Sequence, residues 1–210
     1  MFVENYNHEN LFFWSDLHLG HDKDFIYTPR AMHDVAMHDA ILKKRIYEKV
    51  TPGSTFWLLG DTILGMDSEQ RLFDFLSSLP CAEVVLMPGN HFSGVKQLRR
   101  SHGREFDAKD VHVRIVSNLE EIQVRDQLVV LSHYPLMSWN GAGKKNANSW
   151  MVHGHVHGRI KASLPTQFDG GKILDVGVES CAHPMSFAEI REIMSKKAFK
   201  QVDHHGAETK

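Results

Sequence analysis

The sequence predicts an α/β domain, and three observations predict it. Short apolar runs alternate with longer segments of helical spacing. Most of the apolar runs end on a small or flexible residue followed by an acid, an amide or an imidazole. No linker, repeat or low-complexity run divides the 210 residues, so residues 1–210 read as one domain with a polar tail after about 201, long enough to bury a sizeable core.

Leu11-Phe-Phe-Trp14 reads as a buried first strand ending at Ser15-Asp16, with His18, Gly20 and His21 in the loop beyond. Arg30 to Val50 reads as a helix, with Pro29 suited to its first turn and Pro52-Gly53 stopping it. Val35, Leu42, Ile46 and Val50 form its core-facing stripe. Thr55 to Leu59 is a strand running into Gly60-Asp61, and Ser68 to Leu79 a helix with Leu72, Phe75, Leu76 and Leu79 as its apolar face. Glu83 to Met87 is a strand leading into Pro88-Gly89-Asn90-His91, followed by a short helix from Ser93 to Arg100. Val111 to Val116, Glu121 to Val124 and Leu128 to Leu131 read as strands, the last ending at Ser132-His133. A long Gly-bearing loop spans Tyr134 to Ser149. Trp150 to Val152 leads into His153-Gly-His155-Val-His157, Lys172 to Val176 is a further strand, and Phe187 to Ala198 a closing helix.

Composition narrows the function. Hydrophobic residues at 42% and charged residues at 24% are ordinary for a soluble globular chain. A net charge of -2 supplies no bulk field to attract nucleic acid or membrane. Cys81 and Cys181 make neither a disulfide framework nor a zinc-finger spacing. The first residues lack a basic segment followed by a long apolar run, so neither a signal peptide nor a transmembrane span is expected, and the expected location is the cytoplasm. The anomaly is fifteen histidines, several concentrated in the Gly-bearing strand-end segments.

Those segments suit two metal ions. Open α/β sheets place sites beyond the carboxyl ends of their strands, where short loops gather distant residues on a rigid base. A binuclear centre needs a carboxylate between cations about 3.5–4 Å apart, and Asp61 is the candidate bridge. Asp16 and His18 can hold one ion, with His157 returning to it; Asn90, His133 and His155 can help hold the other. Mixed nitrogen and oxygen donors suit Mn²⁺ (the ion expected here), Fe²⁺, Ni²⁺ or Zn²⁺ better than Mg²⁺, which prefers oxygen. Attack of metal-activated water on a phosphate ester is the expected chemistry, with His91 contacting the phosphate or protonating the departing oxygen.

Taken in order, Ser-Asp16-Leu-His18-Leu-Gly-His21, Gly60-Asp61, Gly89-Asn90-His91, Ser-His133-Tyr-Pro and Gly154-His155-Val-His157 resemble the calcineurin-like metallophosphoesterase superfamily, from Phe12 to about Ile190. The closer likeness is to small bacterial and phage phosphoesterases, carried by the opening motif, Ser-His133-Tyr-Pro, Trp139-Asn140, Asp175-Val-Gly177-Val178-Glu179 and Pro184-Met-Ser-Phe-Ala-Glu189. The resemblance implies a four-layer α/β/β/α sandwich with two mixed β-sheets. It implies Asp16, His18, Asp61 and His157 on one metal, Asp61, Asn90, His133 and His155 on the other, and His91 as the catalytic histidine. One departure matters: the family's common Gly-Asn-His-Asp is Gly-Asn-His-Phe92 here, so the acid that would support His91 is missing. That favours a phosphodiesterase acting on small or cyclic nucleotide-type diesters over a phosphomonoesterase, and it lends local support to the remaining alternative, a metal-containing binding or scaffold protein with weakened catalysis.

Several residues keep two readings. His21 contacts substrate, orients a ligand or stabilises its loop; His153 supports a ligand or packs at a strand end. Trp139 and Asn140, with Lys144 and Lys145, form a substrate wall or a solvated loop. The basic run Lys96, Arg99, Arg100 and Arg104 is foremost an exposed helix face, and no nucleic-acid-binding module accompanies it. Asp175 and Glu179 brace the sheet or a nearby histidine. The expected partner is a small phosphate ester, without membrane or stable nucleic-acid contact; the oligomeric state is open.

Overall fold

The computed structural model of the protein describes residues 3–142, 149–159 and 171–198. Two mixed β-sheets are flanked by helices, the arrangement of a calcineurin-like sandwich. The strands are β1 (Glu4–Tyr6), β2 (Leu11–Trp14), β3 (Thr55–Leu58), β4 (Glu83–Leu86), β5 (Glu105–Ala108), β6 (Val111–Ile115), β7 (Leu119–Val124), β8 (Gln127–Ser132), β9 (Trp150–His153), β10 (Ile173–Asp175) and β11 (Met185–Ser186). The helices are α1 (Asp24–Tyr27), α2 (Val35–Lys49), α3 (Ser68–Ser77), α4 (Ser93–His102) and α5 (Phe187–Lys196), with a 3₁₀ turn at Thr28–Arg30.

The larger sheet runs β11-β2-β3-β4-β6-β5, parallel through its centre with an antiparallel strand at each edge. All four residues of β2 and of β3 are buried, as expected of parallel strands covered on both faces. The smaller sheet runs β1-β7-β8-β9-β10. Its alternation sorts residues to two faces. Val129, Leu131 and Val152 join the main core with Phe13, Trp57 and Val85 of the larger sheet. Val130 and Met151 point the other way, beside Ile173 of β10 on the same face, and Trp139 and Ala142 pack with them there. Replacing the fully buried Trp57 by Ala would cost about 3–5 kcal/mol through the cavity left.

Helices α3 and α4 pack on each other, and α3 on β5 and β6, while α5 lies against β2, β10 and β11. A capping box starts α5: Ser186 Oγ accepts from Glu189 N–H, and the Glu189 carboxylate accepts from Ser186 N–H. The same carboxylate takes Lys49 Nζ at 2.7 Å, tying the end of α2 to α5.

The structure differs from the sequence reading at the start of α2, in the short α1 and 3₁₀ segments before it, and at β1, β5 and β11. The helix expected from Arg30 begins at Val35, because Ala31 turns left-handed at φ 58° and Asp34 caps the helix by accepting Met37 N–H at 2.7 Å. Strands β1 and β5 lie in segments to which the sequence reading assigns no element; both are short, polar and at a sheet edge. Strand β11 is two residues long, below what alternation can signal. Lys144, Lys145 and the tail after residue 198 lie outside the described residues. Among the described residues, no helix is long and apolar enough to cross a membrane.

Candidate metal centre

Loops at the carboxyl ends of β2, β3, β4, β8 and β9 meet at one place. The sheets are stitched there by backbone bonds: Ser15 N–H donates to Val176 O at 3.1 Å, and Val178 N–H to Ser15 O at 3.2 Å. The loops are stitched likewise, His18 N–H donating to Asp61 O at 2.9 Å and Gly154 N–H to His133 O at 3.2 Å. Two glycines allow the close approach. A Cβ on Gly89, at φ +76°, would lie 2.2 Å from Asp61 Oδ1; one on Gly154 would lie 2.5 Å from Asp16 Oδ2. Asn118 holds the Gly89 turn from both sides, accepting its N–H at 2.8 Å and donating to its carbonyl at 3.1 Å.

The polar side chains converge around Asp61. Its Oδ2 lies 3.8 Å from His18 Nε2 and 3.5 Å from His133 Nε2. Asn90 Oδ1 lies 2.9 Å from His133 Nε2 and 2.9 Å from His155 Nδ1. On the other side, His157 Nε2 stands 4.0 Å from Asp16 Oδ1. Three triads keep their donor atoms within 4.8 Å of one another: Asp16, His18 and His157; His18, Asp61 and His91; Asp16, Asp61 and His133. Donors about 2.0–2.2 Å from a shared cation stand roughly 3–3.5 Å apart, close to these spacings.

Three further observations test whether these residues fit metal ions. First, polar atoms are stranded: Asp16 Oδ1, both ring nitrogens of His18 and His21 Nδ1 are buried with no hydrogen-bond partner among the described residues. Each buried orphan costs about 1–3 kcal/mol unless something fills it. Second, lone pairs face each other. The Nδ1–H of His133 donates to Leu59 O at 2.8 Å, so its Nε2 presents a lone pair to Asn90 Oδ1 and Asp61 Oδ2. A proton or a cation must lie between them. Third, Asp16, His18, Asp61, His155 and His157 all adopt left-handed backbone, with φ from 48° to 72°. Such residues cost about 1 kcal/mol or more each, and such strain clusters at functional sites. The donor set fits divalent cations.

The electrostatics agree. Burial raises the Asp16 carboxyl to about 6, against the pull of His133 and His157. Burial also pushes Asp61 upward, but the His133 hydrogen bond and charge, the His91 N–H and His18 bring it down to about 2. Burial drives His18 down to about 3 and lowers His21 and His155. His157 is raised by its hydrogen bond to Glu179; burial is the largest single influence on His133 and lowers it, but the hydrogen bond and charge of Asp61, with Asp16, together raise it.

A polar brace stands behind the centre. Arg30, with its side chain only 3% exposed, donates to Asp16 O at 2.9 Å, to Leu17 O at 3.0 Å and to Glu179 Oε1 at 2.7 and 2.9 Å. It also reaches the buried His38 Nε2 at 2.7 Å, whose Nδ1 meets Asp39. Asp39 in turn accepts Gly20 N–H at 2.9 and 3.1 Å. No sequence motif marks Arg30 or Asn118; their partners are distant in the chain.

The other residues singled out in the sequence fall as follows. His91 donates its backbone N–H to Asp61 Oδ1 at 2.8 Å, and its ring stands edge-on to His18. Among the described residues no carboxylate hydrogen-bonds the His91 ring, and Phe92 is 46% exposed. His21 lies beside His18 and His91. His153 is buried against the Gly154 carbonyl at 2.9 Å. Trp139 is elsewhere: its ring packs on the outer face of the smaller sheet and its Nε1–H donates to Ser149 Oγ at 3.0 Å. Asn140 donates to Glu121 at 2.8 Å. Asp175 holds the N–H groups of Gly158 and Gly177 and the Ser180 hydroxyl. A cavity of about 530 Å³ opens over His18, His21, His91, His155 and His157; neither Trp139 nor Asn140 lines it.

No protein-family model matches the chain. It is similar to the gene 66 proteins of two mycobacteriophages. The L5 protein is 26% identical over 202 residues, 89% of this chain and 94% of its own; the D29 protein is 26% identical over 201 residues, 89% of this chain and 96% of its own. Among solved structures, the Aquifex aeolicus protein AQ665, of unknown function, superposes with a TM-score of 0.63 at 20% identity, over 87% of this chain and 98% of that one. That likeness establishes the fold. The E. coli phosphoesterase Yfce matches more remotely, with a TM-score of 0.41 at 18% identity over 80% of this chain and 77% of that one.

Proposed function

We propose that the protein is a binuclear-metal-dependent phosphoesterase whose substrates are small phosphodiesters, nucleotide-type diesters among them. The observation that carries this reading is the position of Asp61 Oδ2 between His18 Nε2 at 3.8 Å and His133 Nε2 at 3.5 Å, with a second donor set on either side. In this reading Asp16, His18, Asp61 and His157 hold one ion, and Asp61, Asn90, His133 and His155 the other. Mn²⁺ is the favoured ion for the mixed donor set, ahead of Fe²⁺, Ni²⁺ and Zn²⁺. Two such ions, when bound, lower the pKa of a water and polarise phosphate oxygens.

The chain's own residues do the remaining work. His91, on the turn held by Asn118, contacts the phosphate and delivers a proton to the departing oxygen. Its ring has no carboxylate partner among the described residues, and Phe92 cannot supply one. A diester with a good leaving group depends less on that proton than a monoester does, so diesters are favoured. Phe92 also keeps a second reading alive, a metal-containing binding protein with weakened catalysis.

The test compares bis-p-nitrophenyl phosphate with p-nitrophenyl phosphate, in the wild type and in His91→Ala. The diester is hydrolysed faster, and the variant keeps its metal and slows the monoester more than the diester. A wild type that binds two ions and hydrolyses neither compound contradicts the reading and favours the binding role.

A further inference from the structure

The cavity over the histidines has two unlike sides. Its floor is imidazole, from His18, His91, His155 and His157. Its flank carries an apolar patch, built by Phe25, Ile26 and Pro29 from the α1 and 3₁₀ segments and by Val156, and Arg159 and Glu179 complete the lining. A phosphate fits the floor, but nothing about an inorganic anion explains the flank. The volume, about 530 Å³, is that of a small-molecule site rather than of a phosphate alone.

Phe25 is the unusual member. It is 68% exposed, on a four-residue helix whose neighbour Ile26 is 4% exposed and anchors the segment. The Phe25 ring meets His21 edge-to-face at 5.5 Å between centroids, and His21 lies 6.1 Å from His91. Three rings therefore step outward from the floor, His91 to His21 to Phe25. A phosphate ester seated at His91 has room for its ester group along these rings, ending on the open aromatic face of Phe25.

We propose that Phe25, Ile26 and Pro29 form a binding site for a planar aromatic ester group, a nucleobase above all, with Phe25 as the stacking surface. The proposal rests on the phosphoesterase reading for the phosphate position and adds the identity of the ester group. Stacking on an aromatic ring is sequence-tolerant among bases, because every base has a π-face. The site therefore discriminates base from no base, rather than one base from another.

The test needs no turnover. Adenosine 5′-monophosphate and ribose 5-phosphate differ by the base, and their dissociation constants are measured by calorimetry on the metal-replete protein. The nucleotide binds about 10-fold more tightly. Phe25→Ala removes that preference and leaves ribose 5-phosphate binding unchanged, which also reports an intact floor; Phe25→Trp keeps the preference. Equal affinity for the two ligands in the wild type, or a preference that survives Phe25→Ala, overturns this proposal alone. Binding of neither ligand overturns it together with the phosphate floor on which it rests.

Discussion

The carboxylate of Glu179 accepts the Nδ1 proton of His157 at 2.7 Å. The same oxygen takes the guanidinium of Arg30, which also holds the carbonyls of Asp16 and Leu17. One buried cation thus fixes two sides of the candidate centre, the loop after β2 and the His157 ring. The pairing selects the tautomer that turns His157 Nε2 toward Asp16, and it holds Glu179 down to about 2 against the burial that would raise it.

Glu179→Gln keeps the shape and removes the charge. The expected loss is about 10–100-fold in affinity for the ion on the Asp16 side. Arg30→Lys acts in the same direction, because one ammonium cannot reproduce the planar fork that serves Glu179 and two carbonyls. Metal content after dialysis against a graded chelator measures both. Two ions retained at wild-type chelator concentrations in both variants would show that the brace is structural only.

Asp61→Asn strikes the shared position. The loss of metal should exceed the roughly 100-fold typical of an outer partner, and turnover should fall with it. Unchanged metal content and rate would remove Asp61 from the bridge.

Gly89→Ala tests packing around that carboxylate. The added Cβ would sit 2.2 Å from Asp61 Oδ1 on a backbone at φ +76°. The expected destabilisation is about 2–4 kcal/mol from strain and overpacking together, read by thermal unfolding. A Tm equal to wild type would contradict the geometry of the turn.

Metal affinity should fall with pH. Without metal, Asp16 is raised to about 6 by burial, and His133 and His157 are raised above their ordinary value. Cations bind the deprotonated donors, so below about pH 6 each unit costs at least about 10-fold in affinity. Calorimetric titration in buffers of different ionisation enthalpy should register proton release. Affinity independent of pH between about 5 and 7 would mean that these donors do not meet the metal.

Phe92→Asp restores a carboxylate beside His91. The expected outcome is a larger gain for p-nitrophenyl phosphate than for its diester, with a shifted pH profile. No change in either quantity would mean that His91 needs no such partner.

The strand ends were readable in the sequence because hydrophobic runs such as Thr55 to Leu59 stop abruptly at Gly60-Asp61. The small edge strands were not, since Glu4–Tyr6 and Glu105–Ala108 are polar and gain their order from neighbouring strands. Arg30 looked like a helix start, yet its partner Glu179 lies 149 residues away, beyond any local pattern. Trp139 looked available for a substrate, but the outer face of Val130 and Met151 needed an apolar cover, and Trp139 supplies it.

In the proposed reading, two metal ions on this donor set hydrolyse a phosphodiester. The direct measurement strips the protein of metal, then titrates Mn²⁺ back while following bis-p-nitrophenyl phosphate. The predicted result is turnover rising to a plateau at two ions per chain. Two ions bound at the plateau without turnover, or turnover undiminished in the stripped protein, would contradict it.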